Sequence, residues 1–148
     1  MSETAYTIEA MQLEDIPEVL RLEREAFGQM AWHAGDFEAA IASKCDFPLV
    51  IRTTGLAGYA VLRIIAPEAE VENICVAPAC RRSGVGEALM EAMLRLAAER
   101  DAERIFLEVR AHNEPAKALY RKRGFIESYR RKNYYQGPTE DAIIMMKE

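Results

Sequence analysis

The chain is short of cysteine and histidine, with three and two respectively in 148 residues. An odd number of cysteines does not close a disulfide framework. Cys75 and Cys80 have four residues between them, and neither His33 nor His112 recurs at a ligand-like interval, so a structural zinc site is not expected. Cys45, Cys75 and Cys80 are therefore read as reduced thiols of a reducing compartment. Long apolar runs are also missing, since nothing approaches the ~20 residues of a membrane span. Met1 to Ala10 carries Glu3 and Glu9 and offers no apolar stretch of signal-peptide length, so a cytoplasmic location is expected. An excess of basic charge is lacking too. Nineteen Lys and Arg stand against 24 Asp and Glu, a net charge of −5. Phosphate backbones require a basic face, which argues against a general nucleic-acid binder; the clusters Arg81-Arg82 and Arg130-Arg131-Lys132 are its only support. An acidic surface suits a cationic substrate.

What remains is 50% hydrophobic and 29% charged, the balance of an ordinary core and surface. A chain of this length buries roughly 70% of its unfolded surface and folds without crosslinks. Repeats, low-complexity stretches and linkers are missing as well, so residues 1–148 read as one domain.

Tyr6 to Met11 alternates apolar with polar residues, the period of a half-buried strand. Asp15 opens a helix whose stripe of Ile16, Val19, Leu20, Leu22, Ala26 and Phe27 ends at Gly28, and a short helix is expected over Asp36 to Ala42. Phe47 to Arg52 and Leu56 to Ile65 form a hairpin across Thr53-Thr54-Gly55, and Glu70 to Val76 is a further strand stopped by Pro78. From Val85 the apolar residues Ala88, Leu89, Ala92, Met93 and Leu96 keep the helical period. Arg104 to Val109 is a strand, Pro115 to Arg123 a helix ended by Gly124, and Phe125 to Arg131 and Ala142 to Met146 are closing strands. This order predicts a mixed α/β domain, with a largely antiparallel sheet of about seven strands and about four helices.

The strand ending at Val76 runs into Arg81-Arg82-Ser83-Gly84-Val85-Gly86, where the strongest helix begins. Small residues allow a tight turn with outward N–H groups, and a helix N-terminus adds about half a positive charge, which together make a pyrophosphate cradle. The loop lacks the Lys-Ser/Thr of a nucleoside-triphosphate loop and the third glycine of a dinucleotide fingerprint. In the strand Phe106-Leu-Glu-Val-Arg110, Glu108 lies on the face opposite Ile105, Leu107 and Val109. Taken alone it reads as a solvated or Arg-paired glutamate, Asn113 as a helix cap, and Tyr120 as a packed aromatic with its hydroxyl at the rim. Glu23 reads as an exposed helix residue and Trp32 equally as core filler or as a substrate wall.

Strand, Arg-x-x-Gly-x-Gly, helix, Leu-Glu-Val-Arg-x-x-Asn113 and Leu119-Tyr-x-x-x-Gly-Phe125 follow one another in an order that resembles the GNAT superfamily of acetyl-CoA-dependent N-acetyltransferases. With Asn73-Ile-Cys-Val76, Arg131-Lys-Asn-Tyr-Tyr135 and Glu140-Asp-Ala-Ile-Ile-Met145, the chain looks like its RimI-like branch, the ribosomal-protein-alanine N-acetyltransferases. The resemblance runs from about Ile8 to Met146. It implies that the main chain of Ile74, Cys75 and Val76 holds the pantetheine arm of acetyl-CoA. It also implies that Arg82, Ser83, Gly84, Val85, Gly86 and Glu87 hold the pyrophosphate and that Asn113 touches the cofactor. Glu108 takes the place of the general base and Tyr120 that of the general acid, with no acyl-enzyme and no metal. Trp32, Tyr134 and Tyr135 are expected to wall the acceptor cleft. Where the branch often has Pro-Trp-Ser, this chain has Ala31-Trp32-His33, which bears on the preferred peptide.

The expected substrate is a protein N-terminus, plausibly that of a ribosomal protein beginning with alanine. A lysine ε-amine or small-molecule amine is the alternative within the same fold, and a non-catalytic acyl-CoA sensor is the alternative of another class. A sensor would be free to lose both Glu108 and Tyr120.

Overall fold

The computed structural model describes residues 6–148; the reading of Met1 to Ala5 lies outside them. The alternating segment forms β1 (Thr7–Ala10), followed by α1 (Ile16–Phe27) and α2 (Ala34–Ala42). A three-strand meander of β2 (Asp46–Arg52), β3 (Leu56–Ile65) and β4 (Glu68–Val76) leads to α3 (Val85–Glu99). Then come β5 (Arg104–Arg110), α4 (Glu114–Lys122), β6 (Ile126–Tyr135) and β7 (Glu140–Lys147). The seven strands make one sheet in the order β1-β2-β3-β4-β5-β7-β6, antiparallel throughout except for the parallel pair β4–β5.

Several boundaries differ from the sequence reading: β4 starts at Glu68 rather than Glu70, β7 spans Glu140–Lys147 rather than Ala142 to Met146, and two others have a clear local cause. The second helix starts at Ala34 rather than Asp36 because His33 is its cap: the Asp36 carboxylate reaches back to the His33 N–H at 2.8 Å, so Asp36 closes the first turn. The sixth strand runs on past Arg131 to Tyr135. Its residues are almost all exposed, so no alternation marks its end, and cross-strand pairs such as Tyr135 with Glu140 hold it to β7.

The helices cover both faces of the sheet. Ile16, Val19, Leu20 and Leu22 of α1 and Phe37 and Ala40 of α2 pack on Val50, Tyr59, Val61 and Cys75. Val85, Leu89, Met90, Met93 and Ala97 of α3, with Tyr120 of α4 and Phe125 after it, pack on Ala60, Leu62, Leu107 and Val109 of the other face. β3 has apolar neighbours on both sides and is buried from Leu56 to Leu62, which explains its unbroken run of apolar residues.

One position sets how closely α3 approaches the sheet. A Cβ on Gly58 would stand 2.6 Å from the Cys75 carbonyl oxygen and 3.3 Å from both Leu89 Cδ1 and Val85 Cγ1. Only glycine lets β3 lie flush with β4 and with the first turns of α3 here.

The pairing of β4 with β5 covers only Glu68–Val71 against Arg104–Leu107. The β3–β4 register shifts between Val61 and Leu62, whose partners are Asn73 and Val71, so Glu72 is the extra residue of a bulge. Past that bulge β4 and β5 separate, leaving a gap at the middle of the sheet.

Replacing Gly58 with alanine is expected to destabilise the fold by about 1–3 kcal/mol, the range for forcing a methyl into a packed interior. A fall in the thermal midpoint against the unsubstituted protein measures it, and an unchanged midpoint would show that β3 and β4 can separate to admit the methyl.

Candidate active site

A cleft of about 430 Å³ occupies the gap between the parted strands, bordered by Glu72, Asn73 and Ile74 of β4 and by Glu108, Val109 and Arg110 of β5. Tyr120 of α4 lies at its inner side, Asn113 at the β5–α4 junction, and Trp32, Tyr134 and Tyr135 around its mouth. The structure thus brings together residues that are 103 positions apart, Trp32 and Tyr135 among them. A second recess of about 450 Å³ continues from it along the sheet, sharing Glu70, Leu107 and Glu108 and reaching Glu68, Phe106 and Arg131.

Strand periodicity turns Glu108 out of the core. Its carboxylate lies 3.5 Å from the Arg131 guanidinium of β6 and is 29% exposed, so it is Arg-paired yet open to the cleft. Tyr120 is 5% exposed, and burial alone, with no charge or hydrogen bond contributing, pushes its phenol up to about 12. It is a protonated donor at neutral pH.

Tyr134 and Tyr135 stack edge to face at 5.2 Å, with Arg131 over the first ring at 5.2 Å and Arg110 over the second at 4.4 Å. Burial, and after it the Glu108 charge, raises Tyr135 to about 12. Arg110 is anchored in turn by Glu140 at 3.1 Å, and the same carboxylate accepts from the His112 N–H at 2.7 Å. That backbone bond, followed by the Arg110 contact, keeps Glu140 below the usual carboxylate range.

The loop ahead of α3 lies at the other end of β4. Arg82 and Gly84 have φ of 64° and 84°, left-handed values that turn the chain tightly, and Gly84 is the α3 cap. Ala88 N–H donates to Gly84 O at 2.9 Å, so the amides of 84–87 precede the first helical donor and are available to an anion. The Tyr6 hydroxyl donates to Ser83 O at 2.8 Å and fixes the loop to the segment before β1. The Val85 side chain is buried against the sheet, so only its backbone is offered. Glu87 turns its carboxylate to α4, 3.4 Å from Lys122 Nζ and 3.1 Å from Arg123 Nη2, leaving its amide rather than its charge at the helix start.

The main chain of Ile74, Cys75 and Val76 pairs with β3, and β5 no longer reaches its other edge, because the β4–β5 ladder ends at Val71. An extended, amide-bearing arm has there a free strand edge to lie on. Asn113 caps α4 by accepting from the Ala116 N–H at 3.2 Å, which leaves its Nδ2 for a ligand. These groups fit a pantetheine pyrophosphate: a free edge for its amides and a ring of backbone N–H groups for its charge. Among the described residues no group of three or more His, Cys, Asp or Glu is placed to hold a metal ion, and no helix is long and apolar enough to cross a membrane.

Glu23 is where the structure overturns the sequence reading. It is 1% exposed, not a surface residue, and lines the cleft. The signal was present: Glu23 falls three residues after Leu20, four after Val19 and seven after Ile16, on the buried stripe of α1. Trp32 lines the cleft while its ring packs 5.1 Å from buried Phe37.

One further carboxyl was missed. Glu72, the bulge residue, is pushed up to about 8 by burial and then by the hydrogen bond and charge of Asp46 beside it. Burial works against Asp46 as well, but hydrogen bonds from Glu72 and Ser43 and the Arg63 guanidinium at 2.9 Å hold it below its usual range. The shifts run in opposite directions, so Glu72 is the carboxyl of the pair that takes up a proton first.

The family model described as "Acetyltransferase (GNAT) family" matches residues 13–125. The ribosomal protein bS18-alanine N-acetyltransferase of Escherichia coli is 35% identical over 94% of this chain and 95% of that protein. An N-alpha-acetyltransferase of Sulfurisphaera tokodaii is 30% identical over 95% of this chain and 91% of its own length. The crystal structure of the ribosomal-protein-S18-alanine N-acetyltransferase from Escherichia coli superposes with a TM-score of 0.87 at 32% identity, covering 97% of this chain and 93% of that one.

The Glu72–Asp46 pair has a pH signature. Glu72 titrates from 4.5 in the unfolded chain to about 8 in the fold, so the folded state holds the extra proton between those values. Its contribution to stability is complete below pH 4.5 and is lost as pH rises through 8. Glu72→Gln, which keeps a donor toward Asp46 but cannot titrate, is expected to flatten the fall in thermal midpoint across that window. Equal slopes for the two proteins would show that Glu72 does not hold that proton.

Proposed function

Because the chain belongs to the GNAT family and is an acetyl-CoA-dependent N-acetyltransferase, we propose that its acceptor is the α-amine of a protein N-terminus, as in a ribosomal protein beginning with alanine. The observation that carries this reading is the placement of Glu108 and Tyr120 on opposite strand and helix walls of one cleft, whose mouth is formed by Trp32, Tyr134 and Tyr135. The names of the E. coli and S. tokodaii relatives support the same acceptor.

In this reading acetyl-CoA lies with its pyrophosphate on the backbone amides of Arg82 to Glu87 and its pantetheine arm along Ile74, Cys75 and Val76, touched by Asn113. The acceptor enters from the aromatic side. An α-amine has a reference pKa of ~7.7 to 8.0, so only a modest push is needed to free its lone pair. Glu108, held by Arg131 but open to the cleft, takes the amine's proton directly or through a water. The nitrogen attacks the thioester carbonyl, a backbone N–H such as that of Val76 steadies the oxyanion, and the carbon–sulfur bond breaks. Tyr120, a phenol at every working pH, donates to the departing sulfur. The second recess along Glu68, Glu70 and Phe106 offers the residues after the first a path with acidic walls.

Incubation with acetyl-CoA and a peptide that starts Ala-Arg and contains an internal lysine, followed by mass spectrometry, is expected to place acetyl on the α-amine alone. Acetyl on the lysine would transfer the proposal to an ε-amine enzyme, and coenzyme binding without transfer to any amine would favour a sensor. Glu108→Gln is expected to lower kcat by about 10²–10⁴, the usual contribution of a positioned base, with acetyl-CoA affinity unchanged. A steady-state titration that returned the original kcat would remove Glu108 from the chemistry.

A further inference from the structure

Glu23 sits on α1, and three bonds converge on its buried carboxylate from three other places in the chain. Oε1 accepts from the Tyr59 hydroxyl of β3 at 2.7 Å and from Asn73 Nδ2 of β4 at 3.0 Å. Oε2 accepts from the backbone N–H of Trp32, in the connection between α1 and α2, at 2.9 Å. Burial, with Cys75 and Glu23 alongside, holds the Tyr59 phenol far above its ordinary value, so it donates here. Amide N–H groups have no other role available to them. Three donors and no acceptor therefore meet at this point, which only a carboxylate can satisfy: a glutamine would have to turn its NH₂ toward one of them.

This arrangement is more than a core contact. The α1–α2 connection begins at Gly28, whose φ of 53° ends α1; Phe27 at the end of α1 and Met30 on the connection both line the cleft, 38% and 44% exposed. Trp32 and Asn73 both line the cleft, one from the α1–α2 connection and the other from the strand side. A single side chain thus sets the distance between the aromatic wall and the β4 edge.

We propose that Glu23 is a positioning residue of the acceptor site, clamping the α1–α2 connection to β3 and β4 so that Trp32 stands ready before a peptide arrives. The inference rests on the reading that the acceptor enters beside Trp32. It gives the buried charge a purpose that packing does not, because a apolar residue of similar size would fill the same stripe.

Trp32 is the sole tryptophan, so its fluorescence reports the clamp without any turnover. Glu23→Gln is expected to expose Trp32 to a neutral quencher and to raise the KM of an Ala-Arg peptide by about tenfold, the size of one lost charge-assisted hydrogen bond. Acetyl-CoA affinity and kcat at saturating peptide are expected to stay within about twofold, well inside the effect of a single such bond. Tyr59→Phe removes one of the two strand-side bonds and keeps those of Asn73 and the Trp32 N–H, and it serves as the comparison: thermal stability falls while Trp32 quenching and peptide KM move far less than in Glu23→Gln. Should both variants move quenching and KM alike, or should Glu23→Gln move neither, Glu23 is a packing residue and the clamp is overturned. If Glu23→Gln does not fold, amide hydrogen exchange of the unsubstituted protein decides: slow exchange at Trp32 supports the clamp, and exchange at the rate of a free amide overturns it. If the unsubstituted enzyme acetylates no peptide, the proposed acceptor is wrong, while quenching and exchange still judge the clamp by themselves.

Discussion

Everything in the site depends on β4 and β5 being paired for four residues and then parting. Two parallel strands that stayed in register would bury their inner edges against each other and leave no room for a ligand. Here the ladder stops at Val71 and Leu107, just where the extra residue Glu72 kinks β4. The unpaired edge beyond borders the cleft, and in the proposed reading it is also the edge on which acetyl-CoA lies. Tyr120 reaches the gap because α4 follows β5 directly and packs its apolar stripe under the opening.

The charges around the gap are arranged so that each acidic group has a different fate. Glu140 is tied to Arg110 and to a backbone N–H, and Glu108 to Arg131 at the longer distance of 3.5 Å. Glu72 is kept neutral by burial and then by Asp46 beside it, and Glu23 is spent entirely on hydrogen bonds. Of these carboxylates, Glu108 combines an open face with a loosely held cation, the state a proton acceptor needs.

The order of elements was legible because nearly every one carries its own period: alternation in β1 and β5, and a stripe on α1 and α3. The loop before α3, Glu108 and Tyr120 stand out as candidates through a succession of motifs, and the structure brings Glu108 and Tyr120 to one cleft. What the sequence did not disclose lies in contacts between distant segments. Glu23 carries a charge on a position whose spacing marks it as buried, and the charge was given more weight than the spacing. Glu72 looks like any exposed strand residue until a bulge on β4 turns it toward Asp46, 26 positions away. The end of β6 was invisible because a strand exposed along its length has no buried face to keep time with.

The isolated parallel pair also has a consequence for how the molecule assembles. β1 to β4 and β5 to β7 are each built of antiparallel neighbours, joined by the long crossover through α3, and among the described residues the strand pairing between them is the four-residue ladder of Glu68–Val71 with Arg104–Leu107. Contacts between near neighbours form before those that must first close a long loop. The β2–β3–β4 meander and the β6–β7 hairpin are therefore the parts of the sheet able to take shape locally, while the β4–β5 seam, like the pairings of β1 with β2 and of β5 with β7, waits on the closing of a longer loop.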